Sequence, residues 1–135
     1  RQWNLVDNQE LDYHFLGDFD KDMIATIKSE KNFHRTPVQE IWHNDGDQIL
    51  AYMRGNLIFV FNFNPTKSFT DYGFLVPTGS YDVVLNTDAV KFGGNGLADD
   101  SITHLTTYDP LYMEERKEWL KLYIPARSAV VLKKN

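Results

Sequence analysis

The sequence has no cysteine, which excludes disulfide bonds, thiolate metal sites and a cysteine nucleophile. It also has no apolar run that approaches the ~20 residues needed to span a membrane as a helix. Basic residues are outnumbered, 14 against 19 acidic, and the net charge of -5 is spread along the chain. Such a balance argues against a nucleic-acid surface. We therefore expect neither a membrane nor a nucleic acid as a partner.

What the chain does have is enough apolar material for one folded domain. Its 135 residues are 42% hydrophobic and 14% aromatic, which is typical of a globular protein rather than a disordered one. The sequence starts at Arg1 and not at methionine, so we expect a processed or excised piece of a longer protein.

Residues 1–36 have a helical pattern. Apolar side chains recur there at helical spacing, at Leu11, Phe15, Phe19, Met23 and Ile27. The helix is predicted to end near Lys31 or Asn32, because Thr36-Pro37 forces extended backbone. One helix cannot bury so apolar a stripe by itself. The stripe must therefore lie on the rest of the chain or on a larger protein.

From residue 37 to residue 135 the apolar period changes to two, which indicates strands. Seven or eight short strands are separated by turn residues, with Asp45-Gly46 the strongest hairpin signal and a weak strand over residues 102–108. Both faces are apolar between residues 57 and 63, which predicts a central, covered strand. No helices intervene, so neighbouring strands should pair antiparallel. The predicted fold is all-β, an antiparallel β-sandwich preceded by an N-terminal helix.

Motifs for catalysis and metal binding are missing. The histidines show no ligand spacing, and no serine lies in a G-x-S-x-G elbow. Residues 93–96 are glycine-rich but are not followed by Lys-Ser/Thr or by a helix, so they predict a turn with positive φ rather than a phosphate loop. The acidic residues fall in turns or on the polar face of the helix. We therefore expect no catalytic residue, no metal and no cofactor in this chain.

Three aromatic side chains remain as candidates for binding. Trp and Tyr rings hold sugars in sheet proteins by stacking, with hydrogen bonds at the rim. Trp119 and Tyr123 share the strand face that carries Lys121, so that face is not simply core, and Trp42 stands beside the Asp45-Gly46 turn. Either the three rings form a sugar-binding platform, or they cover the core edge or a neighbouring domain, as buried tryptophans commonly do.

Three blocks of sequence resemble the end of glycogen (1,4-α-glucan) branching enzymes of the alpha-amylase superfamily. They are residues 60–72 (VFNFNPTKSFTDY), residues 85–94 with their Leu-Asn-Thr-Asp-Ala and Phe-Gly-Gly segments, and residues 123–129. Residues 1–3 and 19–23 resemble the last helical part of that family's catalytic barrel. Asn64 stands where the family pattern leads us to expect histidine, and Asn86-Thr87 replaces an acidic-serine pair.

The resemblance implies a cytoplasmic parent enzyme of glycogen biosynthesis. Such a parent cleaves an α-1,4 link and re-forms it as α-1,6 by a retaining mechanism, in a (β/α)8 barrel whose catalytic carboxylates would precede Arg1. No catalytic residue is therefore carried over to this chain. Residues 1–36 would be the terminal helical segment of the barrel, and residues 37–135 the C-terminal β-sandwich domain.

Two functions follow from the resemblance. In one, the chain is a non-catalytic domain whose partner is the catalytic barrel of the same polypeptide, which it covers and stabilises. In the other, it is an independent α-glucan-binding module that uses Trp42, Trp119 or Tyr123 as stacking platforms.

Overall fold

Short alternating segments separated by turns form two antiparallel sheets in the computed structural model, which describes residues 13–108 and 118–135. Helix α1 is Tyr13–Lys28, and single 3-10 turns lie at Phe33–Arg35 and Val90–Phe92. The strands are β1 Gln39–Asn44, β2 Ile49–Arg54, β3 Leu57–Asn62, β4 Phe69–Leu75, β5 Ser80–Asn86, β6 Thr103–Leu105, β7 Thr107–Tyr108, β8 Glu118–Ile124 and β9 Ser128–Lys134.

The large sheet has the order β1-β2-β3-β9-β5-β6 and the small sheet the order β4-β8-β7. Every pairing in the described residues is antiparallel, so the predicted sandwich with a preceding helix is confirmed. The weak strand predicted over residues 102–108 is in fact two strands, one in each sheet. The break is at Thr106, whose hydroxyl accepts a hydrogen bond from the amide of Gly79 and donates one to Glu118.

The main core lies between the two sheets. Strand β3 is central, as predicted, and alternate residues such as Ile58 and Val60 point inward and are fully buried. On the small sheet Phe74 and Leu120 meet them from the other side. This packing leaves the outer face of each sheet to be covered by something else or to face solvent.

Helix α1 covers part of the large sheet's outer face. A second cluster forms there, built from buried Leu57, Leu85 and Val131 with Phe19, Met23, Phe33, Phe59 and Phe92 against them. The helix ends at Lys28, earlier than predicted, and the chain then turns through Asn32, which has a left-handed φ of 61°. Leu16 and Ile24 stay exposed, so α1 keeps an apolar surface that this sheet does not cover. Within the described residues, no helix has the length and apolarity needed to cross a membrane.

The loop after β5 is organised by one buried carboxylate. Asp88 accepts hydrogen bonds from the amides of Asn95, Leu97 and Ala98 at 3.3, 2.6 and 2.9 Å. Gly93 and Gly96 adopt the positive φ predicted for this turn, 79° and 65°. The folded loop presents the Phe92 ring edge-on to Phe19 of the helix, with centroids 5.3 Å apart.

Candidate functional site

Trp42 joins the two sheets at the open edge of the sandwich. It lies on edge strand β1, is 45% exposed, and its indole Nε1 donates to the Tyr72 hydroxyl of strand β4 at 3.0 Å. That hydroxyl in turn donates to Oδ2 of Asp47, also at 3.0 Å. Burial raises the pKa of Tyr72 and Asp47 adds to this, while the bond from Trp42 opposes it. The phenol therefore stays protonated and holds the indole in one orientation.

Trp119 lies in the same groove as Trp42. Strand β8 places Trp119 on the outer face of the small sheet, because Leu120, Leu122 and Ile124 take the inward positions, as the sequence predicted. Its indole covers Gly73 of the neighbouring strand, and a Cβ on that glycine would lie 3.6 Å from the ring. The two tryptophans thus form the walls of one groove of about 510 Å³.

The rest of the groove is apolar or uncharged except at one position. The residues that line it are Ile41, Trp42, Thr70, Asp71, Tyr72, Gly73, Leu75 and Trp119. Asp71 is therefore the one ionised side chain among these lining residues. Two indoles with a hydroxyl and a carboxylate beside them suit a ligand with apolar faces and hydroxyl edges, because the rings can stack and the oxygens can accept hydrogen bonds.

Tyr123, the third candidate residue, lies elsewhere. It is on the same strand face as Trp119 but four residues further on, about 13 Å away at the ordinary rise of a strand. It is 38% exposed and lines a narrow pocket of about 50 Å³ beside Asp99, Asp100 and His104. The structure therefore brings Trp42 and Trp119 together and leaves Tyr123 apart from them.

A second surface lies on the outer face of the large sheet. Tyr52, Phe59, Phe61 and Phe63 form a ladder there: the Tyr52 and Phe59 centroids are 4.9 Å apart, and the Phe61 and Phe63 rings are 5.6 Å apart and parallel within 2°. The helix covers the Leu57 end of this row. The other end is open, and Phe63 is 60% exposed.

A groove of about 380 Å³ runs between the ladder and the helix. Most of the side chains that line it are apolar, among them Phe19, Met23, Val38 and Phe61, and Arg54 is the charged residue among them. Val38 is 57% exposed at its edge. We call the ladder and this groove together the apolar face. An outer sheet face of this character is unusual for a surface that faces only water.

Metal binding finds no support in the side-chain geometry. Among residues 13–108 and 118–135, no three His, Asp or Glu side chains lie together in an arrangement that would hold a metal ion. His104 is the histidine whose pKa clearly shifts, and it is lowered because burial outweighs the attraction of Asp99 and Asp82.

Comparison with known proteins assigns the fold to a family. Residues 41–135 match the family described as the alpha amylase C-terminal all-beta domain. The chain belongs to this family. It is also similar to the 1,4-alpha-glucan-branching enzymes of Saccharomyces cerevisiae (38% identical over 133 residues), Candida glabrata (40% over 134) and Felis catus (36% over 135).

Each of these three alignments covers 98% of this chain and 19% of the relative. The chain thus spans about a fifth of the length of the curated relatives it matches. The resemblance to branching enzymes that residues 60–72, 85–94 and 123–129 indicated is confirmed.

The two asparagines that depart from the expected family pattern have structural roles in this alpha-amylase C-terminal domain. Asn64 is buried, and its side-chain oxygen accepts from the amides of Thr66 and Lys67, which closes the turn after β3. Asn86 is buried too and accepts from the amide of Asp88 at 3.0 Å.

Sequence reasoning missed the polar residues of the groove. Tyr72 and Asp71 belong to the block of residues 60–72 that carries the family resemblance, and Asp47, which bonds to Tyr72 beside the groove, is one of the acidic residues assigned to turns. No alternation or spacing signal marks them, because their roles depend on two edge strands, β1 and β4, meeting across the two sheets.

Proposed function

We propose that this chain is the non-catalytic C-terminal β domain of a 1,4-alpha-glucan-branching enzyme, and that its apolar face packs on the catalytic barrel of the same polypeptide. The observation that carries this is the aromatic ladder on the large sheet, which the described residues leave exposed at its Phe63 end, in a chain that spans a fifth of the branching enzymes it matches. The catalytic reaction then takes place in the barrel, and the β domain stabilises the barrel. Residues 1–36 would be the helical segment that ends the barrel, and residues 37–135 the β domain. A cytoplasmic location stays a prediction from the family.

The apolar face has the properties expected of an intramolecular domain interface. Rings that are parallel and still partly exposed, such as Phe61 and Phe63, bury further area without reordering when a second surface meets them. Burying a Phe side chain contributes about 1.5–3 kcal/mol, so a few such residues would couple the stability of the two domains. Leu16 and Ile24 of the helix would extend the contact.

A chimaeric enzyme tests the proposal. This chain replaces the corresponding fifth of the Saccharomyces cerevisiae relative, and Phe63→Asp is introduced both in the chimaera and in the isolated chain. The matched control is Leu97→Asp, since Leu97 is 59% exposed, Phe63 is 60% exposed, and Leu97 does not line the apolar face.

We expect Phe63→Asp to lower the temperature of thermal inactivation of the chimaera by several degrees and to reduce branching activity with it. In the isolated chain the same change should lower the unfolding free energy by less than about 1 kcal/mol, because the ring is largely exposed there. Leu97→Asp should have little effect in either setting. The proposal is wrong if Phe63→Asp acts equally in the chimaera and in the isolated chain.

We further propose that the groove between Trp42 and Trp119 binds α-glucan. This second role is supported by the two indoles that share one groove and by the hydrogen bonds from Trp42 through Tyr72 to Asp47, which fix one ring in advance. A platform that is already ordered loses less entropy when a sugar stacks on it. The ligand class follows from the relatives, which are 1,4-alpha-glucan-branching enzymes.

Native gels cast with and without glycogen test this role on the isolated chain. We expect glycogen to retard the wild-type chain, and expect Trp42→Ala and Trp119→Ala to restore most of the mobility. Tyr123→Ala should stay retarded like the wild type, because Tyr123 lies outside the groove. Thermal unfolding of each variant shows that it is folded. Equal mobility of the wild type with and without glycogen would overturn the binding role.

A further inference from the structure

Strand β4 carries a bulge at the floor of the tryptophan groove. Its pairing with β8 runs in register from Tyr72 to Leu75, and the register shifts between Phe69 and Tyr72. Asp71 lies in that bulge with a φ of 51°, in the left-handed region. Bulges re-aim side chains, and they are frequent next to functional sites.

The left-handed backbone at Asp71 has an energetic consequence. Glycine adopts this region freely, whereas a residue with a Cβ is strained there, although Asp and Asn tolerate it better than most. Asp71 is exposed and lines the groove together with Trp42 and Trp119. The chain therefore keeps a carboxylate at a backbone position where glycine would be more stable.

The position of this carboxylate suits sugar recognition. A sugar stacked between or against the indoles presents its hydroxyl groups at the edge of the ring, where they need acceptors. An ionised carboxylate is acceptor-only, with two oxygens, and its hydrogen bonds are about twice as strong as those between neutral groups. The groove carries no other ionised side chain among its lining residues, so this role falls to Asp71.

We propose that Asp71 is the specificity-determining residue of the tryptophan groove, held in the β4 bulge to accept hydrogen bonds from the hydroxyl groups of a bound α-glucan. This rests on the glucan-binding role proposed above. The strain at Asp71 is then maintained for binding rather than for folding, as in other sites where function and stability oppose each other.

The proposal predicts that loss of the Asp71 carboxylate weakens glucan binding without destabilising the fold, and both effects can be measured on the same variants. Asp71→Gly, Asp71→Asn and the control Asp45→Asn are made in the full chain. Asp45 is an exposed carboxylate in the neighbouring turn that does not line the groove. Maltoheptaose binding is measured by titration calorimetry, and the thermal unfolding midpoint is measured on the same samples.

We expect Asp71→Gly to weaken maltoheptaose binding by about tenfold while its unfolding midpoint stays equal to that of the wild type or rises. Asp71→Asn keeps one acceptor oxygen and tolerates the same φ, so it should weaken binding by a smaller factor at an unchanged midpoint. Asp45→Asn should match the wild type in both measurements.

The outcomes separate this inference from the role on which it rests. If Trp119→Ala loses maltoheptaose while Asp71→Gly and Asp71→Asn bind like the wild type, the groove binds glucan and the role of Asp71 is wrong. If the wild type itself does not bind, the glucan role fails and this inference fails with it. If Asp71→Asn lowers the midpoint, the carboxylate serves the fold, and the inference is again overturned.

Discussion

Replacing Asp88 by alanine should loosen the loop that holds helix α1 on the large sheet. Asp88 is 6% exposed, and its carboxylate accepts from three backbone amides of the loop. Hydrogen bonds to charged groups contribute about 1.5–3 kcal/mol each. The bonds to Leu97 and Ala98 are short and the one to Asn95 is long, so we count two of them fully. Asp88→Ala should therefore cost about 3–6 kcal/mol.

The effect should reach the helix through Phe92. The loop sets the position of that ring against Phe19. The ion pair between Lys91 and Asp22, 3.4 Å apart, contributes little to holding the helix on the loop because both side chains are exposed. Loss of the loop geometry thus removes an aromatic contact worth about 0.5–1.5 kcal/mol beyond its buried area. The helix should then exchange its amide hydrogens faster than the core strands do.

Urea unfolding followed by tryptophan fluorescence measures the global effect, and amide hydrogen exchange measures the local one. The control is Asp100→Ala, which removes an exposed carboxylate from the same loop and should change stability by less than about 0.5 kcal/mol. Asp88→Asn keeps one acceptor oxygen, so its loss of unfolding free energy should lie between the losses caused by Asp88→Ala and Asp100→Ala. If Asp88→Ala lies within 1 kcal/mol of the wild type, or if the Leu97 and Ala98 amides keep their protection, the reasoning is refuted.

Three further predictions concern the fold. Asn62→Ala should lower the unfolding free energy by about 2–4 kcal/mol in urea, because its buried amide donates to two backbone carbonyls. Burial lowers the pKa of His104 in the folded protein, so below about pH 6.5 the unfolded chain binds a proton at this histidine more readily than the folded protein does. The unfolding free energy should therefore decrease as the pH decreases, and His104→Gln should flatten this part of the pH profile. Gly94→Ala should lower the thermal midpoint strongly, since its Cβ would clash with the backbone carbonyl of Asp88, whereas Gly46→Ala should be mild because its Cβ would meet only the side chain of Asn44.

The sandwich and its core were predictable because one strong signal repeats along the chain. Alternation at β8 assigns Leu120 and Leu122 to the inside, and the structure buries both. The two apolar faces of β3 predict a covered strand, and Ile58 and Val60 are the residues of that strand that face the other sheet. The division of residues 102–108 between the two sheets was not predictable, because it depends on the Thr106 hydroxyl bonding to a distant loop and strand. Alternation defines faces, but it does not say which sheet a short strand joins.

The candidate site was predictable only in part, for a related reason. Alternation along β8 correctly placed Trp119 and Tyr123 on an outer face. Alternation could not show that Trp42, on the edge of the other sheet, shares a groove with Trp119 and not with Tyr123. That choice follows from which end of β8 lies near β1, which is a property of how the two sheets are stacked.

The two proposed surfaces lie on different parts of the sandwich, the apolar face on the outer face of the large sheet and the tryptophan groove at the edge where β1 meets the small sheet. Phe63 lies on the outer face of the large sheet, and Trp119 on the outer face of the small sheet. Stacked sheets are about 10 Å apart, so the two residues are separated by the whole core and share no contact. Sites this far apart act nearly independently, so evidence for or against one role does not decide the other.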